Sequence, residues 1–302
     1  MPHHYRANSK IRYGSNHNSS LIVANPSIAV VILTYNEEAN LQQCLNSVSW
    51  ATELLIVDSG SQDRTLDIAH KNNVRVLQRC AKPFLISEQR NYAMQFGGLT
   101  SDWIFFIDAD EIVTPELQQY LQDTLRNTPE DIAGFRLTPK FMFLGKWLRH
   151  CQPYPSWHDR LARRDKVCFA GGVWEHFEAA EKVGYIHEPY LHFSVSKGIG
   201  DWFAKHERYA TNEAYDILDT LGEMASSTTG HQRTIRKRRL RDLSARVWPL
   251  RPILRFVAMY FLKRGFLDGL PGFLYCVMMA SYEFMTILKV IEYRRRAASL
   301  PI

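Results

Sequence analysis

Trp103-Ile104-Phe105-Phe106-Ile107-Asp108-Ala109-Asp110-Glu111 is the stretch on which the reading of this 302-residue chain turns. Five apolar residues in a row, with no polar alternation, are the mark of a strand buried on both faces, as in a parallel sheet. The run ends in two carboxylates two residues apart. Upstream the same grammar repeats. Ile28–Leu33 is a continuous apolar run, followed over Glu37–Val48 by Leu41, Cys44, Leu45 and Val48 at helical spacing. Leu54–Val57 reads as a second strand ending at Asp58, Arg64–Asn72 as a helix, Val74–Leu77 as a third strand and Ser87–Phe96 as a helix. Downstream, Thr114 caps a helix with Pro115 at its first position and Leu117, Leu121 and Leu125 along one face. Strands alternating with helices predict an α/β fold with a mainly parallel sheet.

Polar residues gather just after the strands, at Thr34–Glu38, Asp58–Asp63 and Asp108–Glu111. Open α/β sheets bind ligands at the carboxyl ends of their strands, so these three segments are expected to face one crevice. Neither G-x-G-x-x-G nor a P-loop occurs. Two carboxylates at Asp-x-Asp can share one hard divalent cation, Mg2+ or Mn2+, which keeps coordination positions for phosphate oxygens. The charge growing on a diphosphate leaving group is what such a cation stabilises. A solvated acidic turn is the plainer reading of the same residues. Asp58 could accept the N–H of a nucleobase or cap the turn ahead of Ser59-Gly60. Arg90 could reach a diphosphate or serve as a surface cation.

Composition narrows the class. Apolar residues make up 46% and charged residues 23%, which fits a globular chain and excludes disordered and collagen-like ones. The net charge is +6, but residues 231–264 hold eleven Lys/Arg against one acid, leaving the remainder at about −4. Five cysteines without a C-x-x-C suit a reducing compartment and argue against a structural zinc site. No secretory signal is legible in the polar first twenty residues.

Four motifs in order resemble family 2 glycosyltransferases: Thr34-Tyr35-Asn36-Glu37-Glu38; Asp58-Ser59-Gly60-Ser61-Gln62-Asp63-Arg64-Thr65; Glu88-Gln89-Arg90-Asn91-Tyr92-Ala93; and Asp108-Ala109-Asp110-Glu111. The resemblance covers about residues 28–195. Tyr154-Pro155, Arg160-Leu161-Ala162-Arg163-Arg164 and the basic, apolar C-terminal part resemble the lipopolysaccharide-core β-1,4-glucosyltransferase branch. It implies a GT-A fold, a nucleotide-diphosphate sugar (most often UDP-linked), a metal at Asp110, Asp108 nearer the sugar and ribose, and inversion at the anomeric carbon. Donor contacts are expected at Thr34, Tyr35, Asn36, Glu38, Asp58, Arg90, Asp108 and Ala109. Inversion needs a base on the acceptor side. Where the branch carries Gly-x-x-His-Glu, this chain reads Gly171-Gly172-Val173-Trp174-Glu175-His176, so Glu175 takes the acid position and Trp174 replaces the histidine. Glu175 is the expected base, with His176 and Asp159 as rivals. His192 is a candidate contact to the metal or diphosphate, or else an interior histidine.

The C-terminal third has another texture. The expected organisation is a polar tail over 1–27, the catalytic domain over 28–195, a helical basic segment over 196–246 and apolar helices over 247–302. Arg236–Arg239 are four consecutive bases, and Val247–Leu262 and Phe266–Ile291 are apolar. Within these two apolar segments the longest stretch free of Asp, Glu, Lys and Arg, Gly269–Tyr282, is 14 residues, short of a bilayer span. Aromatic residues beside cations suit shallow attachment to an anionic membrane surface rather than nucleic acid. The expected activity is therefore metal-dependent hexosyl transfer to a glycolipid or lipopolysaccharide-core-like acceptor at the cytoplasmic membrane face. The alternatives are transfer onto polyprenyl phosphate and a catalytically inactive, membrane-binding regulatory protein.

Overall fold

The computed structural model describes residues 26–82, 84–171, 175–221 and 248–302. Residues 1–25 of the expected N-terminal tail, the Arg236–Arg239 run and Trp174 lie outside the described residues. The first half alternates as expected: β1 (Ile28–Thr34), α1 (Leu41–Ser47), β2 (Glu53–Asp58), α2 (Thr65–Lys71), β3 (Arg75–Gln78), α3 (Ile86–Phe96), β4 (Trp103–Asp108), β5 (Glu111–Ile112) and α4 (Pro115–Arg126). The Thr114 hydroxyl accepts from the Leu117 amide at 3.2 Å, the N-cap that its position predicts. Such a cap contributes about 1 kcal/mol.

Eight further strands follow: β6 (Ile132–Leu137), β7 (Pro139–Phe143), β8 (Lys146–Trp147), β9 (His158–Arg163), β10 (Val167–Ala170), β11 (His176–Ala179), β12 (Lys182–Tyr185) and β13 (Tyr190–His192). The main sheet has the order β12-β6-β9-β4-β1-β2-β3. Only β9 runs against its neighbours, so the sheet is mainly parallel. One face packs Val30, Ile32, Phe105 and Ile107 on Leu41, Leu45, Leu117 and Leu121. The other packs Val31, Leu55 and Phe106 on Ala93, Phe169 and Phe177. Burial on both faces is why β1 and β4 are uninterrupted apolar runs. A smaller sheet, β5-β13-β7-β8, sits where the chain leaves Asp110.

The C-terminal helices are α5 (Ile199–Thr220), α6 (Arg251–Val257) and α7 (Gly269–Ala297). The two C-terminal segments separated on sequence share one core. Trp202 of α5 and Met259, Tyr275 and Cys276 pack together with Phe143, Leu148 and Cys151 of the catalytic part. The carboxylate of Asp268 pins this junction, accepting from the amides of His150 at 3.0 Å and Cys151 at 2.9 Å. Asp268 and Glu283 are both buried, and Glu283 pairs with Arg251 at 2.8 Å. These acids are tied into the protein rather than left as unpaired charges on an apolar helix.

Candidate active site

Parallel register sets the edge of the site. Thr34 lies opposite Asp58, and Leu33 opposite Asp108, so the ends of β1, β2 and β4 are side by side. The loops after β1 and β2 are joined by hydrogen bonds. The Asn36 amide donates to the Ser61 hydroxyl at 2.8 Å, and the Gln62 amide donates to Asn36 Oδ1 at 2.8 Å. The Glu38 amide donates to Asp63 at 3.0 Å, and the Glu38 carboxylate holds exposed Arg64. Gly60 has φ +93°, and a Cβ there would lie 2.8 Å from Cys80 Sγ, so this turn requires glycine. Tyr35 stands 53% exposed above these loops, its ring open to a flat partner.

Asp58, expected to meet the nucleobase, is fully buried. Its Oδ1 accepts from the Thr34 and Ser61 hydroxyls, and its Oδ2 from the Gly60 and Ser61 amides at 2.9 Å each. Both oxygens are engaged by Thr34, Gly60 and Ser61, the arrangement of the turn-capping alternative. Thr34 is buried beneath the loop as one of those donors.

At the end of β4 the two aspartates diverge. Arg160 Nη2, from β9, lies 2.9 Å from Asp108 Oδ2 and 2.7 Å from Glu111 Oε1. Arg90 Nη2 is 3.6 Å from Asp108 Oδ1. Burial works against the charge of Asp108, but the two guanidiniums outweigh it and hold its carboxyl well below the usual range. Glu111 is fully buried and also accepts from the Asp108 amide at 2.9 Å. Burial pushes its carboxyl up to about 7 despite Arg160. Ala109 is buried between the two aspartates.

Asp110 turns to the small sheet instead, and its Oδ2 lies 3.4 Å from His192 Nε2. His192 lies tilted against Phe141 at 5.0 Å between ring centroids, and its Nδ1 is buried without a partner. Burial favours neutral imidazole, yet Asp110 raises the His192 value overall. No group of three or more His, Cys, Asp or Glu side chains forms a metal cage among the described residues. One carboxylate oxygen and one imidazole nitrogen on the same spot fit a divalent cation that takes its remaining ligands from phosphate and water.

Arg90 is 1% exposed, so the surface-cation reading falls. Its guanidinium lies over the rings of Phe106 at 5.6 Å and Phe169 at 5.2 Å. Its partners are carboxylates rather than an open diphosphate cleft: Nη1 is 2.6 Å from Glu175 Oε1. Glu175 Oε2 is buried and without a partner. Burial raises the Glu175 carboxyl, with Arg90 opposing. The rival Asp159 has both oxygens engaged, by Arg136 Nε at 2.7 Å and the Phe177 amide at 2.8 Å. His176 lies exposed on β11. Of the three base candidates, Glu175 alone has a buried carboxylate oxygen left unpaired.

Sequence reasoning missed Arg136 and Lys197, and noted Glu111 and Arg160 only within motifs. Lys197 Nζ lies 2.5 Å from Glu37 Oε1 and donates to the Tyr35 carbonyl at 3.2 Å, joining the segment after His192 to the loop after β1. The available signal was a short strand, His158-Asp159-Arg160, crowded with ionisable residues that an edge-to-centre position must bury.

This geometry agrees with what the chain is similar to. Residues 29–178 match the model of glycosyl transferase family 2. The chain belongs to glycosyltransferase family 2. This glycosyltransferase is 27% identical over 281 residues to the lipopolysaccharide core biosynthesis glycosyltransferase LpsC of Rhizobium meliloti, covering 89% of this chain and 93% of that one. It is 25% identical over 279 residues to an uncharacterized glycosyltransferase of Rickettsia bellii, covering 88% and 86% of the two. Among solved structures it is similar to glucosyl-3-phosphoglycerate synthase from Mycobacterium tuberculosis in complex with Mn2+, UDP and glucosyl-3-phosphoglycerate. The TM-score there is 0.37, with 24% identity, over 52% of this chain and 67% of that one.

Proposed function

We propose that this family 2 glycosyltransferase moves a hexose from a nucleotide-diphosphate sugar, UDP-linked, to a sugar of a lipopolysaccharide-core-like glycolipid, with inversion. The observation that carries the reading is the division of labour at the end of β4. Asp108 is held by two arginines, Asp110 faces His192, and Glu175 keeps one buried oxygen unpaired. The base and ribose would lie against Tyr35 and the joined loops over β1 and β2. Asp110 and His192 would hold Mg2+ or Mn2+, which supplies charge neutralisation for the departing diphosphate. Asp108 would accept sugar or ribose hydroxyls with its position fixed by Arg160. Glu175 Oε2 would take the proton of the acceptor hydroxyl as that oxygen attacks the anomeric carbon.

Peripheral membrane attachment completes the proposal. The segment Gly265–Ala297 is long and apolar enough to cross a membrane by length and composition. Its inner face, however, packs Tyr275, Cys276, Met279, Glu283 and Val290 against the protein. Its outer face exposes Leu270, Phe273, Val277, Phe284, Leu288 and Ile291, at spacings that keep them on one side of the helix. Such a surface favours lying on a leaflet over crossing it. The similarity to LpsC supports the same setting.

Thermal-shift titration with UDP-, GDP-, ADP- and CMP-sugars, with and without Mn2+, tests the donor. A shift confined to a UDP-sugar with Mn2+ is expected. No shift with any sugar nucleotide, together with no metal-dependent donor cleavage, would overturn the enzymatic mechanism proposed here.

A further inference from the structure

We propose that Trp157, Tyr185 and His187, backed by Arg136, form the subsite that holds the sugar ring of the acceptor. This deepens the transferase reading above and rests on it. The sheet order places the nucleotide loops over β1 and β2, the aspartates over β4, and then β9, β6 and β12 in succession. An acceptor must approach the anomeric carbon from the half of the sheet that the nucleotide does not cover. Register aligns Tyr185 with Arg136, and Arg136 with Asp159, in one row across those three strands. Trp157 is the residue before β9.

The row leads directly to the candidate base. Asp159 Oδ2 accepts from the amide of Phe177, two residues after Glu175, and the Asp159 carbonyl accepts from Arg90, the partner of Glu175. Beside it the rings form a corner. The Trp157 ring lies 4.9 Å from Tyr185 at 73° and 5.0 Å from His187 at 88°. Tyr185 is 48% exposed and His187 is exposed. Arg136 spends Nε on Asp159 and Nη1 on the Tyr185 hydroxyl at 3.1 Å, which leaves Nη2 free. The Trp157 indole N–H is likewise unengaged among the described residues.

A saccharide ring matches this surface chemically. Its axial C–H groups form an apolar face that lies on an aromatic wall, and its hydroxyl rim takes the free donors of Arg136 and Trp157. Large rings exposed at a polar sheet edge carry a solvation cost that such a ligand removes. Trp157 stands steeply inclined to both Tyr185 and His187, so the corner fits one monosaccharide unit rather than a flat nucleobase.

The probe is core oligosaccharide released from lipopolysaccharide by mild acid, titrated into the full-length protein. Trp157→Phe reports by difference fluorescence, because wild type minus variant isolates the Trp157 signal. The subsite predicts saturable quenching of that difference signal, which needs no turnover. It also predicts that Tyr185→Ala raises the acceptor KM roughly tenfold while the Kd for UDP with Mn2+ stays within about twofold. A flat difference signal, with both variants melting as wild type does, overturns the subsite. If saccharide quenching is seen but no sugar nucleotide is cleaved, the subsite stands and the transferase reading falls.

Discussion

Arg90 holds one oxygen of Glu175 and leaves the other alone: Nη1 lies 2.6 Å from Oε1, while Oε2 is buried without a partner. A general base needs a fixed position and an open lone pair, and this pair of residues supplies both. Glu175→Gln keeps the size and the contact to Arg90 but cannot take a proton. Transfer to a sugar hydroxyl is expected to fall about 100- to 10,000-fold, with donor Kd little changed. Undiminished turnover would instead favour a polyprenyl phosphate acceptor, whose attacking oxygen is already anionic.

The same pair sets the acid side of the pH profile. Burial raises the Glu175 carboxyl above its ordinary value, and Arg90 only partly offsets this. A base works when ionised, so kcat/KM should decline as pH drops through that raised value. The acid limb is expected above the roughly 4.3 of a free glutamate. Rates measured from pH 4 to 8 on a soluble acceptor test this, and a limb at or below the ordinary glutamate range would remove Glu175 from the role.

Asp110 and His192 are predicted to act together on metal-dependent donor binding. Asp110→Ala removes the one carboxylate facing His192 Nε2. Affinity for a UDP-sugar in Mn2+ should fall by roughly tenfold or more, since even outer partners of a metal are worth that much. Calorimetric titration with and without Mn2+ reads the effect. Equal affinity in wild type and variant would show that the cation is held elsewhere.

Arg160 is the structural counterweight of the site. Its Nη2 serves both Asp108 and Glu111; Arg160 and Glu111 are buried, while Asp108 is partly exposed. Arg160→Ala leaves buried Glu111 without its cation and Asp108 with Arg90 alone. Breaking a buried pair in this way costs about 3–5 kcal/mol. Urea denaturation should show that loss, and a variant as stable as wild type would mean that water already solvates Asp108 and Glu111.

How much of this was legible beforehand divides along the chain. The alternation from β1 to α4 was readable because strands such as Ile28-Ala29-Val30-Val31-Ile32-Leu33 are buried on both faces and carry little but packing information. The helix read from Glu37 starts only at Leu41, because Glu37 and Asn40 spend their backbone groups on the entry turn. From β6 onward periodicity fails. His158-Asp159-Arg160-Leu161-Ala162-Arg163 is a sheet strand, yet four of its six residues are ionisable. They are there for Tyr190, Arg136, Asp108 and the Ile132 carbonyl, partners remote in sequence. The motifs placed Asp108 and Asp110 at one edge, but spacing alone could not tell that Arg160 takes the first and His192 faces the second. Nor could it tell that Asp58 spends its acceptors on its own loop and on Thr34 at the end of β1.

The outer face of the C-terminal hairpin yields a prediction in which two forces compete. Around the turn between α6 and α7, Leu262 is 77% exposed, Phe266 46% and Leu270 67%, with Lys263 and Arg264 exposed between them. Attraction of a cation to an anionic leaflet is worth about 1 kcal/mol each and is screened by salt. Burying a Leu or Phe side chain in hydrocarbon contributes roughly 1.5–3 kcal/mol and is not screened. If the apolar face carries the attachment, wild-type protein should stay partly bound to anionic vesicles in high salt, while neutralising Arg236–Arg239 should weaken binding only at low salt. The triple variant Leu262→Ser, Phe266→Ser, Leu270→Ser gives up little packing beyond the contact of Phe266 with Tyr260, and should float free at high salt with its melting temperature only slightly lowered. Vesicle co-sedimentation at two ionic strengths measures both. Unchanged sedimentation of the triple variant, or its conversion from dimer to monomer without vesicles, would assign this face to a second copy of the chain instead of a membrane.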